Sequence, residues 1–101
     1  MQEVTLLKTA PALEMALAGE IDAKNADEFY EEVEKGLGAG GKDVLFLCDK
    51  LEFIDSTTLG TFVKILKRVK ADGHTMKLTG LSPRLKKLFV ICALDTIMEI
   101  A

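Results

Sequence analysis

Asp55 and Ser56 stand side by side, followed by Thr57 and Thr58, and a second aspartate, Asp22, ends another apolar segment. A carboxylate beside hydroxyls can cap a helix, flank a phosphate acceptor, pair with another acid for proton transfer, or serve a hydrolase triad. The triad fails on distance. The single histidine, His74, lies beyond a helical pattern of about sixteen residues, which at 1.5 Å each puts it about 24 Å from Ser56. No G-x-S-x-G elbow surrounds the serine. His74 also has no histidine or cysteine pair at metal-ligand spacing. Cys48 and Cys92 form no CxxC and each sits in an apolar segment, so both are expected as core thiols rather than a disulfide or a metal pair. The glycine run 36–41 lacks the GKS/T ending of a phosphate-binding loop, and no hydroxyl follows Lys42, so it reads as a plain loop. Asp22 and Asp55 alone do not define a reaction, and a chain this small offers little pocket. No catalytic residue, metal site or cofactor is expected.

What remains is a cap or a switch. The apolar run Val44–Cys48 reads as a buried strand, and Leu59, Phe62, Val63, Leu66 and Val69 mark a helix over 57–72. Asp55 and Ser56 therefore lie where a strand's loop turns into a helix, facing the unpaired N–H groups of its first turn. Ser56 at that place either caps the helix or carries a phosphate. A phosphate adds about 1.5 to 2 negative charges at the positive end of the helix dipole. With Asp55 and Asp22 nearby, it would repel a partner shaped for a neutral serine, and the fold would not need to rearrange.

The rest of the chain supplies the frame. Residues 3–8 make a strand that Ala10-Pro11 breaks. Residues 12–18 are all helix formers, yet Leu13, Met15 and Leu17 alternate between Pro11 and Gly19, so a second strand hairpinned to the first is expected. Asn25 and Glu28 resemble a capping box before a helix with Ala26, Phe29, Tyr30, Val33 and Leu37 on its apolar face. Asp72-Gly73 stops the helix over 57–72, and Met76–Thr79 is a short strand. Ser82-Pro83 opens a helix that buries Leu85, Leu88, Phe89 and Cys92, and 96–100 is a last strand. The order β-β-α-β-α-β-α-β implies parallel strand pairs with helices packed on the sheet.

At 101 residues, 49% apolar and 29% charged, the chain is sized for one folded domain. A net charge of −3 disfavours nucleic acid and anionic membranes, and no apolar run is long enough to span a bilayer. Nothing at the N-terminus resembles a signal peptide, so a cytoplasmic location is expected. The first helix carries Asp27, Glu28, Glu31, Glu32 and Glu34, whereas the later two carry Lys64, Lys67, Arg68, Lys70, Arg84, Lys86 and Lys87. These are solvated faces, or a polarity that orients a charged protein partner.

Gly19-Glu-Ile-Asp22, Leu51–Gly60, Gly73–Leu78, Ser82–Phe89 and Leu94–Ile97, in that order, resemble motifs of the bacterial anti-sigma factor antagonists, which consist of a single STAS domain. The resemblance implies an α/β fold over 1–101, with a mixed sheet, an N-terminal antiparallel hairpin and helices packed on the sheet. It implies no enzyme. Such a protein binds an anti-sigma factor that is also a serine kinase of the histidine-kinase-like ATPase type, and so releases a sigma factor for transcription. Phosphorylation inactivates it and a phosphatase restores it; ATP is bound by the partner kinase and not by this chain. By resemblance Ser56 is the phospho-acceptor, with Thr57 the lesser candidate, and Asp22, Asp55, Ser56, Thr57 and Thr58 form the partner-binding surface. One position departs from the family. Thr58 stands where glycine is usual, and its β-branched side chain would crowd a first turn that glycine leaves bare. The second reading is therefore a STAS docking subunit of a signalling scaffold or transporter complex that is not phosphorylated.

Overall fold

The computed structural model describes residues 2–101. The strands β1 (Gln2–Lys8), β2 (Leu13–Ile21), β3 (Val44–Ile54), β4 (Met76–Thr79) and β5 (Glu99–Ile100) form one sheet in sequence order. β1 and β2 are antiparallel and every later pair is parallel. The helices α1 (Ala26–Leu37), α2 (Ser56–Ala71) and α3 (Pro83–Ile91) fill the connections, and a 3-10 turn, Leu94–Thr96, precedes β5. This is the mixed α/β sheet with an N-terminal hairpin that the sequence implied. The seven-residue stretch of helix formers is indeed a strand, because alternation lets Leu13, Met15 and Leu17 enter the core together.

Four phenylalanines hold the layers together. Phe46 on the central strand meets Phe29 of α1 and Phe62 of α2 at ring separations of 5.6 Å each, and Phe62 meets Phe29 at 5.3 Å and Phe89 of α3 at 5.5 Å. All four pairs are tilted or edge-on, the geometry that ring quadrupoles favour. Gly36 belongs to α1 rather than to the loop after it. Leu13 packs so closely that a Cβ on Gly36 would lie 2.5 Å from its Cδ1, so any larger residue there would force the Leu13 side chain to shift.

Several expectations are corrected. β3 does not stop at Cys48; it runs on to Ile54 across two irregularities in its pairing with β2, one between Ala16 and Ala18, the other between Gly19 and Glu20. Gly19, expected to close β2, lies inside it at φ 75°, a conformation that glycine adopts without a Cβ penalty. The last strand is two residues long, because 94–96 is taken by the 3-10 turn. Cys48 is buried as expected, but Cys92 is the exposed C-cap of α3. Burial, and secondarily the neighbouring Asp49, pushes the Cys48 thiol up to about 12.

The charged helices are partly paired with each other. Arg68 Nη1 of α2 lies 3.2 Å from Glu34 Oε2 of α1, and Lys64 Nζ sits 4.1 Å over the Tyr30 ring. Part of the polarity between these helices is thus spent inside the molecule.

Candidate functional site

The parallel pairing of β2 with β3 ends at Ile21 opposite Ile54, and the chain leaves both strands at the same edge of the sheet. Open parallel sheets present their binding corners at this carboxyl edge. The turn after β2 carries Asp22; the step after β3 carries Asp55 and Ser56. Topology thus brings together two of the acids singled out in the sequence.

Asp55 is the N-cap of α2, and Ser56 is the first helical residue. The Asp55 backbone is extended, and its Oδ1 accepts the Thr58 N–H at 2.9 Å. Its Oδ2 reaches across to the other turn and accepts the Ala23 N–H, also at 2.9 Å. One carboxylate therefore satisfies a free donor of α2 and clamps the β2–α1 turn beside it. These contacts, the Thr58 N–H foremost, hold the Asp55 carboxyl below the usual carboxylate range despite some burial. It stays ionised at neutral pH.

Ser56 is thereby released from capping. Of the two roles open to it from the sequence, the cap belongs to Asp55, and the Ser56 side chain is exposed at the first turn. Thr57 is exposed as well. In any α-helix the N–H groups of the first residues have no intrahelical partner, and capping by Asp55 occupies only that of Thr58. A negative group on Ser56 would sit beside N–H donors at the positive helix end.

Thr58 is the correction at this site. Expected on the partner-binding surface, it is completely buried. Helical rotation turns it under Ser56, where Oγ1 lies 2.6 Å from the Ile21 carbonyl and 3.0 Å from Asp55 Oδ1. It offers no side chain to a partner, and it does not crowd Ser56 from outside.

The second turn is braced by side chains. Asp22 Oδ1 accepts the Lys24 N–H, and Asn25 Oδ1 accepts the Asp22 N–H, both at 2.9 Å. Asn25 Nδ2 donates to the Glu20 carbonyl at 3.1 Å. The expected capping box is not what Asn25 makes: its side chain forms no cap bond to α1 but folds back over the turn. Phe53, with 42% of its surface exposed, was not singled out in the sequence. It flanks the corner, paired with Glu20 across the strands. The available signal was Phe53-Ile54 at a strand end, two apolar residues of which strict alternation can bury only one. At the start of α3, Arg84 Nη2 donates to the Glu52 carbonyl at 3.1 Å and ties this helix to the end of β3. His74 is elsewhere, with Nδ1 3.2 Å from Oδ1 of Asp43, the residue before β3. Among the described residues no group of three or more histidine, cysteine or acidic side chains is placed to hold a metal. Among the described residues no helix is long and apolar enough to cross a membrane.

The STAS domain family model matches residues 3–101. An anti-sigma-B factor antagonist of Bacillus subtilis (strain 168) is 37% identical over 89 residues, covering 88% of this chain and 81% of that protein. Among solved structures, an anti-sigma factor antagonist from Mycobacterium paratuberculosis aligns with a TM-score of 0.86 at 12% identity, over 99% of this chain and 85% of that one. The Bacillus cell fate determinant SpoIIAA in its phosphorylated form aligns with a TM-score of 0.74 at 19% identity, over 100% and 91%.

Proposed function

The chain belongs to the STAS domain family, and we propose that within it the chain is an anti-sigma factor antagonist switched off by phosphorylation of Ser56. In this reading the corner made by Asp22, Asp55 and Ser56 docks on an anti-sigma factor that is also a serine kinase, which frees a sigma factor for transcription in the cytoplasm. The partner binds ATP and transfers its phosphoryl group to the Ser56 hydroxyl; a phosphatase removes it. The chain itself catalyses nothing and needs no cofactor, nucleic acid or membrane.

The observation that carries the proposal is the division of labour between Asp55 and Ser56. Because Asp55 supplies the cap, the serine hydroxyl is exposed and costs the helix nothing when modified. A phosphate there would add about 1.5 to 2 negative charges next to an aspartate that is already ionised. The first turn can hold that charge on its N–H donors, while a partner surface built for neutral Ser56 cannot. Thr57, also exposed, is the lesser acceptor because it stands one step further from the clamped aspartate. The relative in Bacillus subtilis named for antagonising the anti-sigma-B factor supports the partner class, and the phosphorylated SpoIIAA supports a fold that carries the modification. The burial of Thr58 weakens the reading of an unphosphorylated docking subunit, since the suspected obstruction is not at the surface.

The experiment is a pull-down from lysate of the source cell with ATP and magnesium, followed by intact mass of the bait. A gain of one phosphate that Ser56→Ala removes, with a kinase-type anti-sigma factor captured, would establish the switch. A stable partner with no mass change under any condition would leave the docking-subunit reading in its place.

A further inference from the structure

Thr58 is the only polar residue fully buried among the described residues, and its hydroxyl has an unusual set of neighbours. A hydroxyl carries one hydrogen. Here it faces two acceptors, the Ile21 carbonyl at 2.6 Å and Asp55 Oδ1 at 3.0 Å, and neither has a proton to give while Asp55 is ionised. The short contact takes the hydrogen and the longer one shares it. Ile21 closes β2, and its carbonyl stands immediately before Asp22. Asp55 follows the last residue of β3 and clamps Ala23, immediately after Asp22. The buried hydroxyl thus joins the two strand ends from beneath, while the Asp55–Ala23 contact joins them from above.

We infer that Thr58 is the positioning residue of the docking corner: its hydroxyl locks the turn bearing Asp22 to the cap bearing Asp55, so that Ser56 is presented in one orientation. The hydroxyl does not touch the partner or the transferred phosphoryl group. It acts through Asp55 and through the end of β2. The inference deepens the proposed function and rests on that reading for its consequence in docking, but the lock itself is a property of the isolated chain.

The lock and the docking are tested separately on three chains: wild type, Thr58→Val and Thr58→Ser. Valine keeps the β-branched shape and removes the hydroxyl; serine keeps the hydroxyl. Amide hydrogen exchange, resolved by residue, is measured at Ala23 and at Phe46 in the centre of the sheet. In Thr58→Val the Ala23 amide is expected to exchange about tenfold faster after correction for any change at Phe46, because a local opening now suffices to expose it. Thr58→Ser returns it to within about twofold of wild type. Equal acceleration at both amides would mean that Thr58 only stabilises the whole fold, and would overturn the lock. The same chains are then titrated against the kinase-type anti-sigma factor captured above. Thr58→Val should raise the KM for Ser56 phosphorylation about tenfold, with kcat within about twofold and rescue by serine. A loosened Ala23 amide with an unchanged KM would overturn the positioning role. Were no kinase captured by any of the chains, the docking reading would fall, while the exchange measurement would still decide the lock.

Discussion

Replacing Asp55 separates the carboxylate's two structural jobs, and the size of each loss follows from its contacts. Alanine removes the cap on the Thr58 N–H, worth about 1 kcal/mol. It also removes the acceptor of the Ala23 N–H, worth about 1 kcal/mol more. The Thr58 hydroxyl keeps its shorter bond to Ile21, so nothing further is added there. Asp55→Ala should therefore cost about 2 kcal/mol, or a Tm lowered by about 8–16 °C in a domain of this size. Asparagine caps helices as well as aspartate does. With its oxygen on Thr58, however, its NH2 group faces the Ala23 N–H, donor against donor, so Asp55→Asn should lose only the second contribution, about 1 kcal/mol. The pH dependence gives an independent sign. The folded carboxyl lies below its usual range, so its stabilisation is complete above about pH 4 and is lost as pH falls through the depressed folded value. The stability gap between wild type and Asp55→Asn should therefore narrow at about pH 3. Urea unfolding followed by circular dichroism at both pH values reads all of this. A loss below about 0.5 kcal/mol for alanine, within the ordinary surface range, would refute the clamp, as would an asparagine variant no better than alanine.

Three other outcomes follow from the same fold. Ser56→Asp should abolish capture of the partner in the pull-down while shifting stability by no more than about 0.5 kcal/mol, because an acid in the first turn suits the dipole; thermal melts check the second half, and a collapsed fold would refute it. Phe62→Ala should cost about 3–5 kcal/mol in urea unfolding, since this ring touches three other phenylalanines at 5.3 to 5.6 Å, and a loss under about 1 kcal/mol would mean the rings do not form the core. Iodoacetamide should label Cys92 in the folded protein and Cys48 only after unfolding, as mass spectrometry of the peptides will tell; comparable labelling of both would contradict the burial and the raised thiol of Cys48.

Strands with strict alternation and helices with clear caps were legible in the sequence. Met76–Thr79 and the Ser82-Pro83 helix start are of this kind, and the Ser82 hydroxyl does accept the Leu85 N–H, at 3.3 Å. The tail of β3 was not. Asp49 and Lys50 interrupt its apolar run, and the shifted pairing with β2 then buries Leu51 and Ile54 three residues apart, a spacing that matches no simple strand. Cys92 was misplaced because its segment is apolar throughout; composition cannot show that α3 ends there and turns the thiol outward. Which residue of the Asp55-Ser56 step caps α2 could not be read either, since both types are favoured at that position. The answer depends on the reach of the longer side chain to Ala23 in a turn distant in sequence.

Thr58 shows how one substitution can have opposite meanings in sequence and in space. Counted along the chain, it is a bulky neighbour of Ser56 and, on the proposed function, would obstruct a kinase. In the fold it is a buried hydroxyl satisfied by the last carbonyl of β2, and the crowding it causes is directed into the core. A switch that works by charge alone needs a rigid corner, because a mobile Ser56 could swing its phosphate away from the partner and relieve the repulsion. Glycine at 58 would give the first turn freedom. Threonine removes it and ties Asp55 and the Asp22 turn to the same hydroxyl. A phosphate on Ser56 would then meet the partner from one fixed direction, with the ionised Asp55 beside it, and the whole of the added charge would act against docking.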